Sequence, residues 1–146
     1  MMYFRRLALV LIAAAFAVPA SAQSNTFEGQ VAFQMRVAEA FANSVGYDLT
    51  DELIFSSLDD GESESFTIDV DGGKDYRMIA LCDEDCDDID IYLEDTNGNV
   101  LDEDISLNDA PIVSLTAKGE SRYVLRVRMY SCSLEPCYFA IGVFGR

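Results

Sequence analysis

From about residue 52 onward, apolar and polar residues alternate almost one for one. Phe66, Ile68 and Val70 interleave with Ser65, Thr67 and Asp69, and Ile89, Ile91 and Leu93 with Asp88, Asp90 and Glu94. Tyr123, Leu125, Val127 and Met129 interleave with Arg122, Arg126 and Arg128, interrupted only by Val124. A period of two sends successive side chains to opposite faces of a strand, so each segment has one buried and one wet face. Met78 to Leu81 and Tyr138 to Phe144 are apolar on both faces, as strands covered on both sides should be. Turn signals fall between the runs: Asp59-Asp60-Gly61, Asp71-Gly72-Gly73, Asn97-Gly98, Asn108-Asp109-Ala110-Pro111 and Lys118-Gly119. The pattern predicts eight strands, near 52–58, 63–70, 75–82, 88–94, 99–104, 111–117, 121–131 and 137–144. So many short strands point to a two-layer antiparallel β-sandwich or jelly roll.

Before the strands lies one helix candidate, 28–45. Val31, Met35, Ala38, Ala42 and Val45 recur at steps of three and four, with Phe41 beside them. Asn25 and Glu28 are spaced for a capping box, and Gly46 is placed to stop the helix. Such a helix can cover the second face of the doubly apolar strands.

The first 22 residues read as an export signal rather than fold. Arg5 and Arg6 precede an apolar run from Leu7 to Val18, Pro19 breaks it, and Ala20-Ser21-Ala22 is a cleavage site ahead of Gln23. The run is too short for an ordinary membrane span. Residues 23–146 are then one domain. The expected location is periplasmic or extracellular.

Charge narrows the partners. The chain carries 10 basic and 26 acidic residues, a net −16, and loss of Arg5 and Arg6 with the signal takes it to −18. Such a surface repels nucleic-acid phosphates and anionic lipid, so neither nucleic acid nor a membrane is expected as partner. Histidine is absent, which removes Ser-His, Cys-His and His-ligated metal chemistry. With no nucleophile elbow and no cleft-bound carboxylate pair in view, the chain does not read as an enzyme.

Four cysteines follow the signal: Cys82, Cys86, Cys132 and Cys137. An even number in an exported chain reads as disulfides. Three pairings are possible; the local ones, Cys82–Cys86 and Cys132–Cys137, are favoured because each brackets a turn between strands. Zinc is the competing reading, but these spacings are loose for it.

Between Cys82 and Asp90 lie six carboxylates in nine residues. Asp83, Asp85, Asp87, Asp88 and Asp90 are therefore candidate calcium ligands, because this ion takes several oxygens in irregular geometry. Asp102, Glu103 or Asp104 could contribute from a neighbouring turn. The competing reading is a solvated acidic tip. The run Asp95-Thr96-Asn97-Gly98-Asn99 misplaces its glycine for an EF-hand and reads as a tight turn. Arg122, Arg126 and Arg128 line one wet face, where pairing with cross-strand carboxylates is expected. Tyr92, Tyr130 and Tyr138 are candidates for a binding face on an unidentified protein or surface polymer.

Gly73-Lys74-Asp75-Tyr76, Asp88 through Asp95, Asn97-Gly98-Asn99, Asp104, Pro111-Ile112 and Tyr123 through Val127 together resemble the bacterial pre-peptidase C-terminal domain. The likeness spans about residues 60–144. It implies a β-sandwich of secreted bacterial proteins, often appended to peptidases, some of whose relatives bind calcium and collagen. No peptidase accompanies it here, so the resemblance carries the fold further than the function.

Overall fold

Alternation of small and large apolar residues with charged ones leaves two sheets face to face. A computed structural model describes residues 20–119 and 121–146. The expected signal segment lies outside them, except for its last three residues. The chain forms one helix, α1 (Ala20–Ser44), and nine strands: β1 (Asp48–Leu49), β2 (Ile54–Leu58), β3 (Ser63–Val70), β4 (Asp75–Cys82), β5 (Cys86–Glu94), β6 (Val100–Asp104), β7 (Ile112–Thr116), β8 (Ser121–Cys132) and β9 (Cys137–Gly145). One sheet runs β1-β9-β4-β7, with β2 following β1 along the same edge of β9; the other runs β3-β8-β5-β6. Every pairing is antiparallel.

The sandwich is the expected one, with nine strands rather than eight. The extra strand, β1, is two residues long, too short for alternation to register. The main core lies between the sheets: Tyr76, Met78 and Ala80 of β4 and Phe139 and Ile141 of β9 meet Ile89, Ile91 and Leu93 of β5 and Leu125, Val127 and Met129 of β8.

The second core confirms why β4 and β9 are apolar on both sides. Val31, Met35 and Ala42 of α1 pack with Tyr47, Ala140 and Phe144, and Ile79, Leu81 and Tyr138 pack against them. Val31 and Met35 are fully buried, and burial of side chains this size stabilises the docked helix by about 1.5–3 kcal/mol each. Gly142 of β9 lets the helix approach. A Cβ there would lie 2.6 Å from Phe144 Cε2 and 3.1 Å from Met35 Sδ.

The helix begins at Ala20, eight residues before the expected start, so Asn25 and Glu28, expected at its beginning, both lie within it. Its end is as expected. Gly46 takes φ 84°, Gly46 N–H donates to the Asn43 carbonyl and Tyr47 N–H to the Ala42 carbonyl. These two bonds make a Schellman stop, and the Tyr47–Ala42 contact beside them is buried.

Both local disulfides are present, Cys82–Cys86 and Cys132–Cys137. The first closes the β4–β5 connection and the second the β8–β9 connection, each of which crosses from one sheet to the other. Disulfides are stable in oxidising compartments. Among the described residues, no helix is long and apolar enough to cross a membrane.

Candidate functional site

The acidic β4–β5 connection passes from one sheet to the other and is shaped by the ladders at its two ends. Asp83 N–H donates to the Tyr138 carbonyl at 2.9 Å, and Tyr138 N–H donates back to Asp83 Oδ2 at 2.8 Å. This exchange draws Asp83 inward until it is 1% exposed. Its Oδ1 is left without a hydrogen-bond partner. Burial raises the Asp83 pKa and the nearby Asp85 charge adds to that, while the N–H groups of Tyr138, Asp85 and Cys86 work against it.

Further along, a bulge interrupts the β5–β8 ladder on both sides of Asp88. The irregularity leaves Asp88, Ile89 and Asp90 all buried in succession, against the alternation of the strand. Asp88 Oδ1 accepts the Asn108 N–H at 3.2 Å, and Ile89 N–H donates to the Asn108 carbonyl at 3.1 Å. Asp90 stands opposite Arg128 in the ladder. Burial raises its pKa, the charges of Asp88 and Asp104 push the same way, and Arg128 and the Tyr92 hydroxyl oppose them. Asp85 is half-buried and lends its carbonyl to Ser133 N–H and Oγ–H, both at 2.8 Å; Asp87 is exposed.

The five aspartates proposed as calcium ligands differ in their surroundings: Asp83, Asp88 and Asp90 are buried, Asp85 is half-buried and Asp87 is exposed. Among the described residues, no group of three or more acidic or cysteine side chains is placed to hold a metal ion. Residues adjacent in sequence are sent to different surroundings by the pleat, the bulge and the Tyr138 exchange. Asp102 and Asp104 direct their carboxylates to another strand, although Asp104 stays close enough to Asp90 for its charge to act there. They cross to the other sheet, where Asp102 Oδ2 accepts the Ser114 N–H at 2.8 Å and Asp104 Oδ2 the Ile112 N–H at 3.0 Å. Glu103 pairs instead with Tyr92 across the β5–β6 ladder.

The three tyrosines also separate. Tyr92 and Tyr130 lie on the outer face of β5 and β8, whereas Tyr138 sits under α1, stacked on Phe27 at 6.0 Å between ring centres. On the outer face two of the three arginines, Arg122 and Arg126, form the expected carboxylate pairs, and Arg128 forms none among the described residues. Arg122 pairs with Asp69 at 2.8 Å and Arg126 with Glu94 at 2.9 Å. Arg126 also lies over the Tyr92 ring at 3.9 Å, and Arg128 over Tyr130 at 4.9 Å. Cross-strand partners satisfy this face.

A different surface is unsatisfied. Phe33, Val37 and Phe41 of α1 and Val45, the residue that follows it, are 69%, 57%, 71% and 51% exposed. Their i, i+4 spacing makes a second apolar stripe beside the docked one. Val45, expected to pack on the sheet, belongs to this outer stripe. At its C-terminal end the stripe opens into a groove of about 360 Å³ between α1 and the outer face of β4 and β7. Ala38, Phe41, Val45, Ile79, Leu81 and Ile112 form its apolar walls, and Tyr47 and Arg77 lie at one side. The guanidiniums of Arg77 and Arg146 both lie against the Tyr47 ring, 5.8 and 4.6 Å from its centre. Spacing of four from Phe33 was the signal available in the sequence.

No family model matches this chain, and no curated protein does. Function has to be read from the surfaces themselves.

Proposed function

We propose that this chain is an exported, non-catalytic β-sandwich of the pre-peptidase C-terminal type that binds another protein through the apolar face of α1 and the groove beside it. The carrying observation is the exposure of Phe33, Val37, Phe41 and Val45 on so highly charged a chain. Contiguous exposed apolar surface of this kind marks an interaction site. From Phe33 to Val45 the stripe runs twelve residues, about 18 Å at 1.5 Å per residue. That length suits a segment of a partner protein better than a small ligand.

Charge argues against the other occupants. Two copies of the chain would each bring a net charge of −16 to the contact, and an anionic membrane surface would be repelled in the same way. The export reading is supported by the amino-terminal segment and by the two disulfides. The outer Tyr92–Tyr130 face is a poorer candidate, since its arginines are already engaged.

Sedimentation equilibrium on the mature protein tests this reading. A monomer at all concentrations, with amino-terminal sequencing that begins at Gln23, is expected. A dimer abolished by Phe41→Ser would assign the face to self-association and overturn the proposal.

A further inference from the structure

We infer that the partner seats an apolar side chain in the groove between α1 and the β4–β7 face and lays a carboxylate on Arg77 and Arg146. This rests on the docking reading above and adds the chemistry of the segment recognised. Arg77 is exposed at the side of a groove whose walls are otherwise almost wholly apolar. The ion pairs formed among the described residues are Lys74–Asp71, Arg122–Asp69, Arg126–Glu94 and Arg146–Asp75, and Arg77 is in none of them. Arg36 and Arg128 are also outside these pairs, but of the three only Arg77 lines the groove.

Arg146 reinforces it. Its pairing with Asp75 is long, 3.8 Å, and Asp75 already accepts the Thr116 hydroxyl at 2.7 Å. Both guanidiniums lie against the Tyr47 ring, so two cations flank one wall residue of the apolar slot. A planar guanidinium pairs with carboxylate through two parallel N–H donors, which fixes orientation as well as energy. The slot therefore selects an apolar group and an acidic group a short distance apart. The edge of β7 is a poorer recognition element, because Asp102 and Asp104 already occupy its Ser114 and Ile112 N–H groups.

NMR titration of the mature protein with 4-phenylbutyrate and 4-phenylbutanamide is the test. Both probes should shift the methyl resonances of Val45, Ile79, Leu81 and Ile112. The carboxylate should bind about tenfold more tightly than the amide, a difference of about 1.4 kcal/mol. Repulsion by the acidic chain works against that preference, so only local cations can produce it. Arg77→Met, which keeps the apolar stem, should remove most of the gap, and Arg146→Met the remainder. Equal affinity for the two probes, or a preference that survives both substitutions, would overturn the carboxylate assignment while leaving the docking face standing. Failure of both probes to shift the groove methyls would overturn the docking reading as well. A steep gain in affinity from phenylbutyrate to dodecanoate would assign the groove to a lipid-like amphiphile and overturn the partner protein.

Discussion

The Asp102 carboxylate reaches from β6 across to the opposite sheet and accepts the backbone N–H of Ser114 at 2.8 Å. Ser114 lies on β7, the edge strand of its sheet, and this N–H points away from β4. Asp104 does the same for Ile112 at 3.0 Å. Two carboxylates thus occupy the donors that an unpaired edge would present to another strand.

Asp102→Ala should cost about 1–2 kcal/mol, since the Ser114 N–H loses a charged acceptor in a half-buried setting. Asp102→Asn, which keeps an acceptor oxygen, should retain most of the stability. Urea unfolding of the two variants checks this. For Asp104, burial works against the charged form, but the N–H groups of Ile112 and Ser106 together hold its pKa below the ordinary value. Its contribution is therefore present above the ordinary carboxylate pKa and is lost as pH falls through the depressed folded value.

Asp90 has the opposite sign. Its pKa is raised by burial and by the charges of Asp88 and Asp104, so the folded state favours its protonated form. Stability from this group is complete below the ordinary carboxylate pKa and declines as pH rises through the raised one. Asp90→Asn should therefore melt higher than the parent protein at pH 7, and the advantage should vanish in acid. A lower melting point at pH 7 would show that pairing with Arg128 outweighs burial.

Gly142→Ala should cost about 1–3 kcal/mol, because its Cβ meets the Phe144 ring at 2.6 Å and something must move. Met35 Sδ lies 3.1 Å from the same position, so the displacement should loosen α1 as well. Hydrogen exchange in 31–42 should quicken in this variant relative to the β5 and β8 amides. Uniform quickening would indicate global destabilisation alone.

The acidic β4–β5 connection should hold its structure without metal. Asp83→Ala should cost about 1–3 kcal/mol by leaving the buried Tyr138 N–H without its acceptor, and Asp83→Asn should cost less. A thermal melt with millimolar calcium should match one with EDTA. Saturation at 100 times a dissociation constant would add about 2.7 kcal/mol, so a calcium-specific rise would return the carboxylates of the β4–β5 connection to a metal site.

Much of the sandwich is legible in the residues. Alternation locates eight strands to within a few residues, and the doubly apolar β4 and β9 imply the helix that covers them. Cysteine spacing around two turns gives the disulfides. The start of α1 is not legible, because the local capping signal at Asn25 and Glu28 is weaker than continuation of the helix through it. Nor is the fate of the acidic run. Linear density of carboxylates says nothing of direction, and here a bulge at Asp88 and a backbone exchange at Asp83 send neighbours apart. Asp102 and Asp104 look like solvent-facing turn residues until the opposite sheet supplies their donors. The stripe Phe33–Val37–Phe41 is visible at four-residue spacing, but helix amphipathicity alone does not say that its face stays uncovered.

Site-specific photo-crosslinking in the cell asks whether that face is used. A benzophenone side chain replacing Val37, on the outer stripe, is compared with one replacing Asn43, on the polar side of α1. The Val37 position should give a discrete adduct with one other protein, and the Asn43 position none. Equal adducts at both positions, or none at Val37, would contradict the account of α1 as a docking surface.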